Sequence, residues 1–242
     1  MNKQLAYLFC GCSLLLGAST VQAQTTFAFG PRVGLNVSTS PYRNELRSYT
    51  TGYRTGLEAG LVGQVRVGHL AVQPAVLYSQ KGFNIHDTQT SAFSTEQRDN
   101  TYRLHYLTVP LNLVFTPNID GQGFQVAAGG YLGFLLGGKF QAKDTYTSAG
   151  YYNYGSTGAV GGSTIFRSEG NISNHTSSTT PAFYSAGADV GLQGNIGYRY
   201  AGTLLQVGYS LGLRNLGHDQ SRIVYYNRAF QASLSYLFDS KG

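Results

Sequence analysis

The sequence predicts an all-β protein: an eight-stranded antiparallel up-and-down transmembrane β-barrel. Three observations carry this. Eight segments show period-two alternation, the connections between them alternate long and short, and the polar faces are built from Gly, Gln, Asn and a few charges. Strand side chains point to opposite faces at successive residues, so such alternation places one face in an apolar medium and the other against something polar.

Taken in order, the segments are Phe27–Ser38, Arg54–Val67, Leu70–Phe83, Tyr102–Thr116, Phe124–Gly137, Ala182–Gly197, Thr203–Arg214 and Arg228–Phe238. They run 11 to 16 residues, long against the ~5–6 usual in soluble sheets. A bilayer crossing by a tilted strand needs ~9–11. Pro74 and Pro110 fall inside two of them. Each removes a ladder hydrogen bond, so a bulge or a rim position is expected nearby.

The connections Thr39–Tyr53, Asn84–Thr101, Gly138–Pro181 and Asn215–Asn227 are long. Those at Gly68–His69, Pro117–Gly123 and Tyr198–Gly202 are short. Outer-membrane barrels have short periplasmic turns and longer extracellular loops, and a soluble sandwich has no cause to sort its loops this way. Both termini then lie in the periplasm. The Gly138–Pro181 connection, rich in Gly, Ser, Thr, Tyr and Asn, is expected to be a solvated surface loop and is the candidate contact for an extracellular or envelope partner.

One face is apolar throughout: Leu57 and Leu61, then Leu107, Leu111 and Leu113, then Leu132 and Phe134, then Leu205, Val207 and Leu211. The other pairs Gly with Gln73, Asn112, Gln193, Asn195 and Gln206. It suits the cramped lumen of an eight-stranded barrel, which side chains just fill. Four cations, Arg32, Arg66, Lys81 and Arg214, and two acids, Glu58 and Asp189, fall on this face. Buried charges must be paired, so a structural polar network is expected of them. In the last strand Phe230, Leu234, Tyr236 and Phe238 face lipid, while Gln231, Ser233 and Ser235 face the lumen.

The first residues read as a secretory signal over 1–23, leaving 24–242 as the barrel domain. Lys3 is followed by the apolar stretch Leu5–Ala18 and by Val21-Gln22-Ala23 before Gln24, a small-residue cleavage pattern. Both cysteines, Cys10 and Cys12, lie in that leader, so no disulfide or thiol chemistry is expected downstream.

Composition narrows the function classes. Charged residues make up 12% of the chain, Gly numbers 32 and Tyr 19, and Trp is absent. The net charge of +6 is spread out with no two cations adjacent, so nucleic-acid binding is not expected. The histidines form no H-x-x-x-H or H-E-x-x-H pattern, and no phosphate loop is present, so neither a metal nor another cofactor is expected. His86, Asp87 and Ser91 share one outer connection, which reads as solvated surface rather than as an active site. A soluble ligand-binding barrel would need an apolar lumen, which the Gly- and amide-lined face denies.

With the segments in place, the chain resembles the Bacteroidetes outer-membrane β-barrel family known as PorT-like or outer membrane protein β-barrel domain. Gly30–Ser38, "GPRVGLNVS", is similar to its opening strand; Gln73–Phe83, "QPAVLYSQKGF", and Tyr106–Phe115, "YLTVPLNLVF", are similar to its proline-containing strands. The resemblance implies an outer-membrane location in a Gram-negative bacterium and surrounding outer-membrane lipid. A terminal aromatic resembles the signal read by the barrel-insertion machinery, here Tyr236 and Phe238, although Asp239–Gly242 follow them. The expected function is a monomeric integral outer-membrane protein with a structural or loop-mediated surface role and no catalysis. Narrow porin-like passage of small solutes, or a PorT-type accessory part in protein secretion, are the alternatives.

Overall fold

The structure is a computed structural model that describes residues 25–44, 47–92, 94–150, 160–173, 182–217 and 223–240. The expected leader at 1–23 lies outside them.

Fifteen strands follow in chain order. They are β1 (Thr25–Thr39), β2 (Tyr42–Asn44), β3 (Arg47–Tyr49), β4 (Thr51–Gly52), β5 (Arg54–Val67), β6 (Leu70–Thr90), β7 (Ser94–Phe115) and β8 (Gly123–Gly150). Then come β9 (Val160–Ser173), β10 (Ala182–Tyr184), β11 (Ala188–Tyr200), β12 (Thr203–Gly212), β13 (Ile223–Tyr225), β14 (Arg228–Tyr236) and β15 (Phe238–Ser240).

Eight of these close a ring. Antiparallel pairing runs β1–β5–β6–β7–β8–β11–β12–β14, and β14 returns to β1 with Leu35 opposite Ala232. No wall strand is left with a free edge, as a membrane requires of β structure. Three short turns, at residues 68–69, 116–122 and 201–202, mark one end. Both described termini lie there, since Thr25 opposes Val67 and Phe27 opposes Ser240.

Alternation sorts the wall into two faces. Leu35, Leu57, Leu61, Leu111, Leu113, Leu132, Leu192, Leu205, Phe230, Leu234 and Phe238 are exposed on the outside. The residues between them are buried inside. An exposed apolar surface that encircles the molecule matches the lipid-facing band of a transmembrane barrel.

Four expectations are revised. The Gly138–Pro181 connection is not simply a loop. Residues 138–150 continue β8, and β9 folds back on them with Gly138 opposite Ile172 and Tyr146 opposite Thr164. β6 and β7 also run on past the apolar band, with His86 opposite Asp99 and Thr90 opposite Thr95. These segments are mostly polar, with apolar residues such as Ile85, Phe140 and Ile172 only scattered among them, so period two gives little contrast there. The sixth segment is divided: β10 pairs in parallel with β9, and β11 starts only at Ala188. The prolines interrupt the ladder without changing register, since Pro74 opposes Leu111 and Leu77 opposes Thr108 on one alignment. The register shift lies instead at His105/Tyr106, where β8 carries one extra residue.

The candidate lumen network and its outer cap

The interior is built in layers from the short-turn end upward. In the lowest, Arg199 on β11 donates from Nη1 to Gln64 Oε1 on β5 at 3.2 Å and from Nη2 to Asp239 Oδ1 at 2.6 Å. Arg66 donates to the same Gln64 oxygen at 3.4 Å. In the next layer Arg32 Nε lies 3.0 Å from Glu58 Oε1, with both side chains buried. Arg32 Nη1 also reaches Gln206 Oε1 at 3.4 Å, and Gln206 Nε2 reaches Gln73 Oε1 at 3.5 Å. Gln193 donates to Asn112 Oδ1 at 2.9 Å.

Two of these contacts measure the width of the lumen. β5 and β11 stand four places apart in a ring of eight, as do β6 and β12. The Arg199–Gln64 and Gln206–Gln73 bonds therefore join opposite walls. Side chains thus meet across the full diameter at those levels, in line with the general packing of eight-stranded barrels.

Above them Asp189 gathers a third layer. Its Oδ2 receives Lys81 Nζ at 3.5 Å, the Tyr131 hydroxyl at 3.2 Å and Asn227 Nδ2 at 2.9 Å. The Lys81 ammonium also sits 4.5 Å from the centre of the Tyr131 ring and 5.6 Å from that of Tyr106. Gly191 makes this possible: a Cβ there would lie 2.5 Å from the Tyr131 ring and closer still to the Leu211 carbonyl oxygen.

An aromatic and aliphatic cluster closes the long-connection end. Phe83, Ile85, Tyr102, Leu104, Tyr106, Leu135, Ile172, Leu216 and Tyr225 are buried together, with Tyr42, Tyr49 and Phe140 against them. Phe83 and Tyr102 stack with centroids 4.7 Å apart, and Tyr42 lies 5.7 Å from Phe83 and 6.1 Å from Tyr225. The small sheet β13–β2–β3 brings Tyr42 and Tyr225 into register over the opening. Burial, and then the neighbouring Tyr102 and Tyr49, push the Tyr42 hydroxyl well above the ordinary phenol range.

Arg32, Glu58, Arg66, Lys81 and Asp189 all lie in this interior. Arg214 does not. β12 ends at Gly212, the chain bends away, and Arg214 is exposed. The buried cation that sequence reading missed is Arg199, assigned to a turn, although continuing the inward positions Gln193, Asn195 and Gly197 by two reaches it. Tyr236 and Phe238 point outward at the short-turn end, 4.9 Å apart. A break at Leu237 separates them, where its backbone N–H donates to the Gly202 carbonyl at 2.7 Å and its side chain turns inward.

Among the described residues no group of three or more His, Cys, Asp or Glu could hold a metal ion. His86 does bond a carboxylate, but that of Asp99 on the facing strand at 2.8 Å, rather than Asp87. Ser91 bonds Ser94 instead.

A closed antiparallel ring with an apolar outer band and a polar, packed interior is an integral outer-membrane β-barrel. The chain belongs to the outer membrane protein beta-barrel domain family, whose sequence profile matches residues 22–217. No curated protein sequence matches it. Among solved structures it is similar to Neisserial surface protein A, at 12% identity and a TM-score of 0.35, over 87% of this chain and 99% of that one. It is also similar to the Pseudomonas putida toluene transporter TodX, at 10% identity and 0.25, over 88% and 89%. The Escherichia coli outer membrane protease OmpT is a third, at 10% and 0.23, over 88% and 97%. Such values carry no argument about role.

Proposed function

We propose that this protein is a sealed barrel that works as a surface-interaction protein, through the sheet that β6, β7, β8 and β9 build beyond the apolar band. The observation that carries this is the pair of cross-lumen bonds, Arg199–Gln64 and Gln206–Gln73, beneath an aromatic cap. A barrel filled at several levels has no path for solute, so what it offers a partner is outside. The long hairpins supply that. β8 alone runs 28 residues, against the ~9–11 that cross a bilayer.

In this reading the short turns and both termini face the periplasm, residues 1–23 are a cleaved signal, and the hairpins face the medium. Tyr236 and Phe238 are the feature offered to the insertion machinery, and the buried charges are structural. The motifs at Gly30–Ser38, Gln73–Phe83 and Tyr106–Phe115 support placement in the PorT-like Bacteroidetes group. An accessory part in secretion would use the same outer or periplasmic surfaces. Catalysis is not part of this proposal.

Two measurements on intact cells test it. Added protease should cleave within 141–170 without prior permeabilisation. Cross-linked complexes formed by the full chain should vanish when 141–170 is replaced by a short turn. Cleavage only after permeabilisation, or complexes that persist without the hairpin, would contradict the proposal.

A further inference from the structure

The outer wall carries a cationic cluster where its apolar band ends, with no carboxylate at ion-pair distance among the described residues. Arg103 on β7 opposes Lys139 on β8 directly, and both are exposed on the outside. Arg103 also opposes Gly82 on β6. Arg54, at the start of β5, lays its stem over that glycine. A Cβ at Gly82 would stand 2.9 Å from Arg54 Cδ and would strike the Tyr102 carbonyl oxygen. Glycine thus leaves room for the stem of Arg54, a residue of inward parity, against the strand position that opposes Arg103.

No carboxylate within 4.0 Å pairs with Arg54, Arg103 or Lys139 among the described residues. Glu169 lines the same outward recess of about 360 Å³ as Arg103 and Lys139 but lies beyond that distance. Farther out, Arg98 is bonded to Glu96 and stands 4.0 Å from Asp144, while Lys143 opposes Arg167 and shares its recess with Asp99 and Glu169. Just below the cluster the wall turns apolar within one outward position, through Tyr78, Leu107, Phe134 and Leu136. The Tyr78 hydroxyl and His105 Nδ1, 2.6 Å apart, sit at the junction. At the short-turn end the outward positions are aromatic, including Phe27, Phe115, Phe124, Tyr200 and Phe238, with no exposed Lys or Arg among the described residues.

We propose that Arg54, Arg103 and Lys139 bind the phosphorylated headgroup of an outer-leaflet lipid, with its acyl chains lying along the Tyr78–Leu107–Phe134–Leu136 strip. Three cations with no carboxylate at ion-pair distance among the described residues repel one another, and an anion seated among them removes that repulsion. A free phosphate would satisfy the charges, but only a lipid also covers the apolar strip directly beneath. The arginine forks suit phosphate oxygens geometrically. Cations near a membrane surface each add to attraction for anionic lipid. The proposal rests on the orientation given above, with the hairpins facing the medium.

Native mass spectrometry of the purified full chain in non-ionic detergent tests it, titrating phosphatidic acid against phosphatidylcholine, whose choline masks the phosphate. The wild type should prefer phosphatidic acid by about tenfold or more. Arg103→Ala with Lys139→Ala should abolish that preference while the heat-modifiable gel shift of a folded barrel persists. Lys143→Ala with Arg167→Ala removes the same charge farther out and should leave the preference intact. A preference kept by the first variant, or lost equally by the second, would overturn the site. Displacement of the lipid by an equal concentration of inorganic phosphate would show a free-anion site instead and overturn the lipid assignment. These readouts are taken in detergent, so failure of the orientation, seen in the protease experiment, remains separable from failure of the site.

Discussion

Lys81 Nζ and Asp189 Oδ2 stand 3.5 Å apart inside the barrel, with side chains 1% and 0% exposed. They come from β6 and β11, three places apart around the ring, so the contact crosses the lumen. Taking a charge from water is costly, and breaking a buried pair by removing one partner typically costs ~3–5 kcal/mol. Asp189→Ala should therefore destabilise the folded barrel by an amount in that range, read from the shift of its urea unfolding curve. Lys81→Met combined with Asp189→Leu should recover most of the loss, because no buried charge is left unpaired. A single variant as stable as the wild type would show that Lys81 reaches water.

The wall should answer differently on its two faces. Leu111 is 57% exposed and lies midway along the outward apolar stretch Leu107–Phe115 of β7, toward lipid. Leu111→Arg should cost ~2–4 kcal/mol in a bilayer if it sits near the midplane. Asn112→Ala, one residue on, removes an acceptor for Gln193 and should cost less, ~1–3 kcal/mol. Equal or reversed costs in vesicle refolding would mean that the two faces are inverted.

Gly191 should not tolerate a side chain. A Cβ there meets the Tyr131 ring and the Leu211 carbonyl. Gly191→Val should destabilise by ~1–3 kcal/mol or more through overpacking. It should also displace the Tyr131 hydroxyl from Asp189. Unchanged near-ultraviolet circular dichroism would contradict this.

The cap should loosen in alkali. Burial, then Tyr102 and Tyr49, hold the Tyr42 proton more tightly in the folded chain than in the unfolded one. The unfolded chain releases that proton above about pH 10, so between the two values the folded state binds more protons and stability falls as pH rises. Tyr42→Phe keeps the ring and removes the ionisable group. It should reduce the loss of aromatic circular dichroism as pH rises above about 10. An identical alkaline transition in both proteins would place the titrating group elsewhere.

The wall was legible in the sequence because lipid outside and amide-rich packing inside give period two its full contrast. Arg32, Glu58, Arg66, Lys81 and Asp189 followed from that parity alone. Arg214 misled, since parity says which way a residue would face only while the strand lasts, and β12 stops two residues earlier. Arg199 was hidden by the reverse error, because β11 continues through what reads as a turn. Ser94–Thr101 is polar on both faces, so nothing local separates a hairpin from a solvated loop there. The cap is assembled from Phe83, Tyr102, Ile172, Leu216 and Tyr225, residues that only the closed ring brings together. The cation cluster likewise joins β5, β7 and β8 across a glycine, a juxtaposition invisible along the chain.

Planar-bilayer recording on the refolded full chain tests the sealed lumen most directly. With Arg199 and Gln206 bonded to opposite walls beneath the Tyr42–Phe83–Tyr225 cap, the expected trace is flat, without steady single-channel current. A reproducible open-channel current from the wild-type barrel would contradict the closed interior and favour passage of small solutes.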